Sequence, residues 1–165
     1  MNEMLIEDAT EADVPEIAAI YNDVIATSTA VFSEQPVTEE DRLAWLRSRQ
    51  EREQPVIVAR AAGAVVGFAS YGDFRSWPGY RSTVEHSVHV AAGRRRQGIG
   101  HGLVQEILGR ARRAGMHVVV AAIDADNHAS LRLHEELGFD HVGQMPGVAR
   151  KFDRWVDLVL LQITL

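Results

Sequence analysis

The chain has 165 residues, 46% of them apolar and 24% charged, with a formal net charge of -6 and no cysteine. This composition suits one ordinary domain with a buried core and is too apolar for global disorder. It excludes thiol nucleophiles, thiolate zinc sites and disulfides, argues against general nucleic-acid binding, and fits a reducing cytoplasm.

The opening segment, MNEMLIEDATEADV, has neither the basic n-region nor the apolar h-region of a secretory leader. No later apolar run approaches the ~20 residues of a membrane span, so no membrane partner is expected. Met4 to Glu7 reads as a short apolar strand, and Thr10 suits the N-cap of a helix with an acidic first turn. Val14, Ile17, Ala18, Tyr21, Val24 and Ile25 recur at helical spacing. Ser28 to Val37, around Phe32 and Pro36, reads as a loop. Thr38 followed by Asp41 marks a second helix start, with a narrow apolar face of Leu43, Trp45 and Leu46 and a solvated end, RSRQERE.

Val56–Ala61 and Ala64–Tyr71 are strands joined through Ala62–Gly63 as a hairpin. GDFRSWPGYR, from Gly72 to Arg81, is a loop by its glycines and proline. A strand from Val84 to Val90 follows, then a glycine loop. A helix from about Gly98 to Ala114 presents Ile99, Leu103, Ile107, Leu108 and Ala111 on one face and stops at Gly115. His117 to Ile123 is nearly all apolar, as expected of a strand covered on both faces. Asp124 to His128 leads into a helix from Ala129 to Leu137, ended by Gly138. Phe139–Gln144 and Trp155–Leu165 are the last strands. No repeat or linker interrupts the order, so residues 1–165 read as a single domain. The expected class is α/β, a single mixed sheet flanked by helices on both faces.

The chemistry concentrates in VEHSVHVAAGRRRQGIGHG, from Val84 to Gly102. A strand feeding a glycine-rich turn at a helix N-terminus makes an anion cradle from backbone N–H groups. Gly98, Gly100 and Gly102 give GxGxG. The dinucleotide fingerprint needs its third glycine where Leu103 stands, and a Walker A Gly-Lys-Ser/Thr is missing. What remains is R-x-x-G-x-G, as Arg95, Gly98 and Gly100. Taken alone, a helix-capping turn with solvated arginines explains that loop equally well.

Glu85 and His86 point to opposite faces of their strand. Glu85 is either the partner of an arginine such as Arg81 or a general base for a substrate ammonium. His86 and His89, three apart on a strand, diverge, and no HExxH occurs, so no metal is expected. Asn127 and His134 are two helical turns apart and can face one side. By themselves they read as an N-cap and a half-buried histidine.

Arg95-x-x-Gly98-x-Gly100 after a strand resembles the pyrophosphate loop of the GNAT superfamily of acyl-CoA N-acyltransferases. The order of elements is that family's order over essentially the whole chain. TSTAVFSEQPVT (27–38), FRSWPGYRSTVEHSV (74–88), NHASLRLHEELGF (127–139) and KFDRWVDLVLLQ (151–162) are similar to its phosphinothricin and methionine-sulfoximine N-acetyltransferase branch. Four separated segments in order are harder to obtain by chance than one glycine loop.

The resemblance implies the GNAT fold, acetyl-CoA as co-substrate, and direct acetyl transfer to the primary amine of a small amino-acid-like molecule. A peptide N-terminus, polyamine or aminoglycoside acceptor, or a non-catalytic acyl-CoA-binding module, stays open beside it. It makes Glu85 the catalytic base. His134 stands where most of the superfamily has tyrosine, and becomes the general acid toward the thiolate or a second participant in proton removal. Val88, His89 and Val90 would pair their backbone with pantetheine and offer an N–H to the oxyanion. Arg95, Arg96, Gln97, Gly98, Ile99, Gly100 and His101 would cradle the pyrophosphate, with Asn127 and Ser130 on pantetheine. Arg75 and Arg81 would clamp a carboxylate, phosphinyl or sulfoximine oxygen, with Phe32, Tyr80 and Thr83 beside them. A homodimer is implied, and Trp155 reads as a core or interface residue.

Overall fold

The structure, a computed structural model, describes residues 4–165; residues 1–3, the start of the segment read for a leader, lie outside the described residues. One seven-stranded sheet has the order β1-β2-β3-β4-β5-β7-β6. Its strands are β1 (Leu5–Asp8), β2 (Val56–Ala61), β3 (Ala64–Asp73), β4 (Thr83–Val90), β5 (Val118–Asp124), β6 (Asp140–Lys151) and β7 (Arg154–Thr164). The helices are α1 (Val14–Thr27), α2 (Glu39–Glu51), α3 (Ile99–Arg113) and α4 (His128–Glu136). Among the described residues only the β4–β5 contact is parallel, and every other neighbouring pair is antiparallel. Among the described residues no helix is long and apolar enough to cross a membrane.

The apolar periodicity places helices on both faces. Ile17 and Ile20 of α1 and Leu46 of α2 pack on Val56, Val58, Val65 and Phe68. Ile99, Leu103, Val104, Ile107, Leu108 and Ala111 of α3 cover the other face with Ile57, Tyr71, Val84 and Val119. Alternation along each strand sends successive side chains to these two cores. Gly67 lets α3 lie close to β3: a Cβ there would meet His89 O at 3.0 Å and Ile99 Cγ2 at 3.1 Å.

Three sequence expectations change. The end of α2 is not wholly solvated, because Arg49 is half-buried over Gly72 and bonds Gln54 at 3.0 Å. β6 runs on to Lys151 although Pro146 and Gly147 should end it. A register shift between Met145 and Ala149 takes up both residues, and Gly147 N donates to Asp157 Oδ1 at 2.8 Å. Trp155 is 65% exposed, so it belongs to no core of this chain. The Ala62–Gly63 hairpin forms as expected, both residues at positive φ. Phe152 and Asp153 turn the β6–β7 hairpin the same way, at φ 51 and 58, without a glycine to signal it.

Candidate active site

β4 and β5 are paired for only three residues, Thr83↔Val118, Val84↔Val119 and Glu85↔Val120. β4 is held along its length by β3, and β5 by β7. Beyond Glu85 the two half-sheets therefore part. The backbone of β4 after Glu85 faces the opening with no strand partner on that side, and such groups seek a ligand strand or amide. A cleft of about 760 Å³ opens there, with a recess of about 80 Å³ running into the splay.

The cleft collects most of the expected cofactor residues. Val88, His89, Val90, Arg95, Arg96, Gly98, Ile99, Gly100, His101, Asn127 and Ser130 line it, together with Arg94; Gln97 does not. Gly98 is the N-cap of α3 at φ 77 and supplies no side-chain cap, so the first-turn N–H groups remain available to an anion. Arg94, Arg95 and Arg96 are exposed, and no carboxylate lies within ion-pair distance of them among the described residues. Asn127 Oδ1 accepts from Ser130 N at 3.2 Å, so Asn127 is the α4 N-cap as well as a wall residue.

Glu85 occupies the last β4–β5 pair, at the point of divergence. It faces the α1/α2 side with Ser87 and His89, whose ring packs on Tyr21 and Phe68 at 5.5 and 5.2 Å between centroids. Burial raises the Glu85 carboxyl above its ordinary value, and nearby Arg75 only partly offsets this. Arg75 lies against the Phe74 ring and shares an open depression with Trp77 and Tyr80. Arg81, Thr83 and Phe32 line neither that depression nor the cleft. Thr83 instead pairs with Val118, Arg81 is exposed, and Phe32 is 40% exposed on the α1–α2 loop.

His134 is more deeply buried than expected, at 2% exposure, and borders the recess. Its Nδ1 lies 2.7 Å from Ser130 O and its Nε2 lies 2.9 Å from His86 Nε2. Burial lowers the His134 pKa, with the Ser130 carbonyl acting the other way. His86 is pushed down to about 3 by burial, then by His134 and His89. His86 was missed as a site residue. Alternation places it on the core face with Val84, but pairing it with His134 requires the α4 packing.

Other missed residues shape the cleft wall. Lys151, at 1% exposure, sends Nζ to the carbonyls of Ile25, Ser28 and Val31 at 2.7, 2.6 and 2.7 Å. Thr29 Oγ1 donates to buried Asp124, which also accepts from Asp126 N at 2.9 Å. Phe152 and Arg154, at the hairpin tip, complete the rim. Lys151, Phe152 and Arg154 all fall within the KFDRW stretch quoted above, which was the available signal.

A mixed sheet parted between two parallel strands, with an uncapped helix N-terminus and exposed arginines at the mouth, is the architecture of the acyl-CoA N-acyltransferases. The acetyltransferase (GNAT) family profile matches residues 17–139, and the chain belongs to that family. It is 50% identical over 161 residues to the L-methionine sulfoximine/L-methionine sulfone acetyltransferase of Pseudomonas aeruginosa, covering 97% of this chain and 94% of that protein. The structure of yncA from Salmonella typhimurium with its cofactor acetyl-CoA matches at a TM-score of 0.97 and 44% identity, over 99% of this chain and 95% of that one. A phosphinothricin acetyltransferase of Sinorhizobium meliloti in complex with acetyl-CoA matches at 0.95 and 31%, over 98% and 88%.

Proposed function

We propose that this protein moves the acetyl group of acetyl-CoA to the primary amine of a small amino-acid-like substrate, of the methionine sulfoximine or phosphinothricin type, in a ternary complex. The observation that carries this reading is the place of Glu85. A carboxylate with raised proton affinity stands where the sheet opens to receive the thioester, so base and donor meet at one point. The unpaired backbone of Val88 to Val90 suits pantetheine, and the uncapped α3 N-terminus with Arg95 and Arg96 suits a pyrophosphate. Glu85 accepts a proton from the substrate ammonium, and the freed lone pair attacks the thioester carbonyl. A β4 N–H stabilises the oxyanion while the C–N bond forms and the C–S bond breaks. His134 is the second proton-handling group, toward the thiolate or in proton removal. Arg75, close enough to Glu85 to act on its carboxyl, favours an anionic acceptor, whereas Arg81, Phe32 and Thr83 line neither the cleft nor the depression beside Arg75.

The chain acts in this reading as a cytoplasmic homodimer. Val142, Met145, Val148 and Trp155 on the terminal hairpin, all exposed apolar side chains, support an interface there. Thiol release from acetyl-CoA across methionine sulfoximine, methionine sulfone, phosphinothricin, common amino acids and polyamines tests the assignment. Strongest turnover on the first three is expected; no release with any amine would end it. Size-exclusion chromatography with light scattering reads the dimer.

A further inference from the structure

We infer that His86 is a positioning residue for the transfer reaction, donating its Nε2–H to His134 Nε2 and thereby holding His134 as the uncharged Nδ1–H tautomer. The assignment follows from hydrogen-bond bookkeeping. Ser130 O can only accept, so the His134 Nδ1 that lies 2.7 Å from it must carry a hydrogen. In a neutral ring Nε2 is then a bare lone pair, and the partner 2.9 Å away, His86 Nε2, must be the donor. His86 Nδ1 is left as a bare nitrogen, buried and without a partner. Phe139 packs against both rings, at 5.7 Å from His86 and 5.0 Å from His134 between centroids, and fixes their planes.

Charging the pair reverses this order at a cost. If His134 became imidazolium, its Nε2–H would point at His86 Nε2, and the His86 hydrogen would move to Nδ1, a buried site with no acceptor. Both rings are accordingly disfavoured as cations. The neighbouring titratable groups do not compensate. Tyr71 stands opposite His86 on β3, Glu85 and His89 face the other side of β4, Arg110 of α3 lies toward Tyr71, and Asp124 ends β5. Glu135 and Glu136 of α4 are exposed. None of these hydrogen-bonds either ring.

This inference rests on the cleft being the transfer site, and it revises the proton-handling part given to His134. An uncharged ring whose Nδ1–H is held by Ser130 O and whose Nε2 lone pair is held by His86 has neither a proton to give the thiolate nor a free lone pair to take one from the ammonium, so His134 acts as a fixed, neutral wall of the recess and Glu85 alone accepts the proton.

Histidine-selective ¹⁵N NMR on the wild-type protein reads both tautomers without any turnover, so its outcome is independent of whether the acceptor assignment holds. His134 is expected as Nδ1–H and His86 as Nε2–H, with His134 titrating below an ordinary imidazole and His86 lower still. In His86→Phe the donor is gone; His134 should then titrate toward an ordinary imidazole value of about 6.5. Its kcat should fall about tenfold, the low end for loss of an outer hydrogen-bond partner, with a new acid limb in the rate profile and KM for acetyl-CoA unchanged. His86→Gln, whose amide nitrogen replaces Nε2–H, should restore the flat profile and most of the rate. The idea is overturned if wild-type His134 is imidazolium or Nε2–H at pH 7. It is equally overturned if His86→Phe leaves tautomer and profile unchanged. Should His86→Phe not fold, the wild-type and His86→Gln spectra still decide.

Discussion

Lys151 Nζ lies 2.7 Å from the carbonyl oxygen of Ile25, 126 residues earlier in the chain. Two further carbonyls, Ser28 O and Val31 O, accept from its other two N–H groups. A cation at the C-terminal end of α1 is favoured by the helix dipole, and here it fastens the terminal hairpin to the loop that walls the cleft.

Replacing Lys151 with methionine leaves those three carbonyls without their donor inside the protein. A loss of about 3 kcal/mol is expected, since each unsatisfied buried acceptor costs about 1–3 kcal/mol and the wall loop partly relaxes. Denaturant melts measure this. KM for acetyl-CoA should rise as well, because Ser28 to Ala30 border the cleft.

Glu85→Gln separates activity from stability. As the base it should lose about 10²- to 10⁴-fold in kcat with acetyl-CoA binding retained. In the wild type, kcat/KM should fall as pH drops through the raised Glu85 pKa, at a pH above the ordinary glutamate range. For stability the sign is opposite. A folded-state pKa above the unfolded value means the folded protein binds more protons in that window, so stability declines as pH rises through it. Glu85→Gln should therefore melt higher than wild type at pH 8, with the gap closing below about pH 4.3. Paired thermal melts at the two pH values read the difference.

Asp13 shows the converse. Burial opposes its ionisation, but Arg60 at 2.8 Å and the Thr10 donors outweigh burial and hold its carboxyl below the usual range. The depressed pKa contributes stability above the unfolded aspartate value of about 3.9, lost as pH falls through the folded value. Asp13→Asn should cost about 1–3 kcal/mol at pH 7 and progressively less toward pH 3. Urea unfolding across that range would show it; an equal loss at every pH would contradict the assignment.

Gly98→Ala isolates backbone conformation. A Cβ there meets no atom within 4 Å, so the penalty comes from φ 77 alone, about 1–2 kcal/mol. The turn relieves that strain by rotating the α3 N–H groups out of line. KM for acetyl-CoA should rise about tenfold, with a fall in melting temperature of about 2–8 °C from the strain; an unchanged KM would remove this turn from anion binding.

Much of the architecture was legible because each signal was local. The apolar face of α3, from Ile99 to Ala111, is fixed by 3.6-residue spacing, and the buried β5 by its unbroken apolar run. Element ends were less legible where a long-range contact overrode a local breaker. Pro146 and Gly147 should have ended β6, yet Asp157 on β7 supports the bulge that carries the strand past them.

By itself the sequence determined most of the elements, since spacing along one strand or helix defines which side chains share a face; it put forward the loop at Arg95 and Gly98 as an anion site and Glu85 as a base through the family resemblance rather than through spacing. Only the tertiary structure decided what those faces meet. That β4 and β5 part at Glu85 depends on each being held by a different neighbour. That His134 faces His86, and that Lys151 grips the end of α1, depends on packing across 48 and 126 residues of separation. Hydrogen bonds of that span leave no periodic trace in the chain, because their geometry is set by the layers on either side of the sheet.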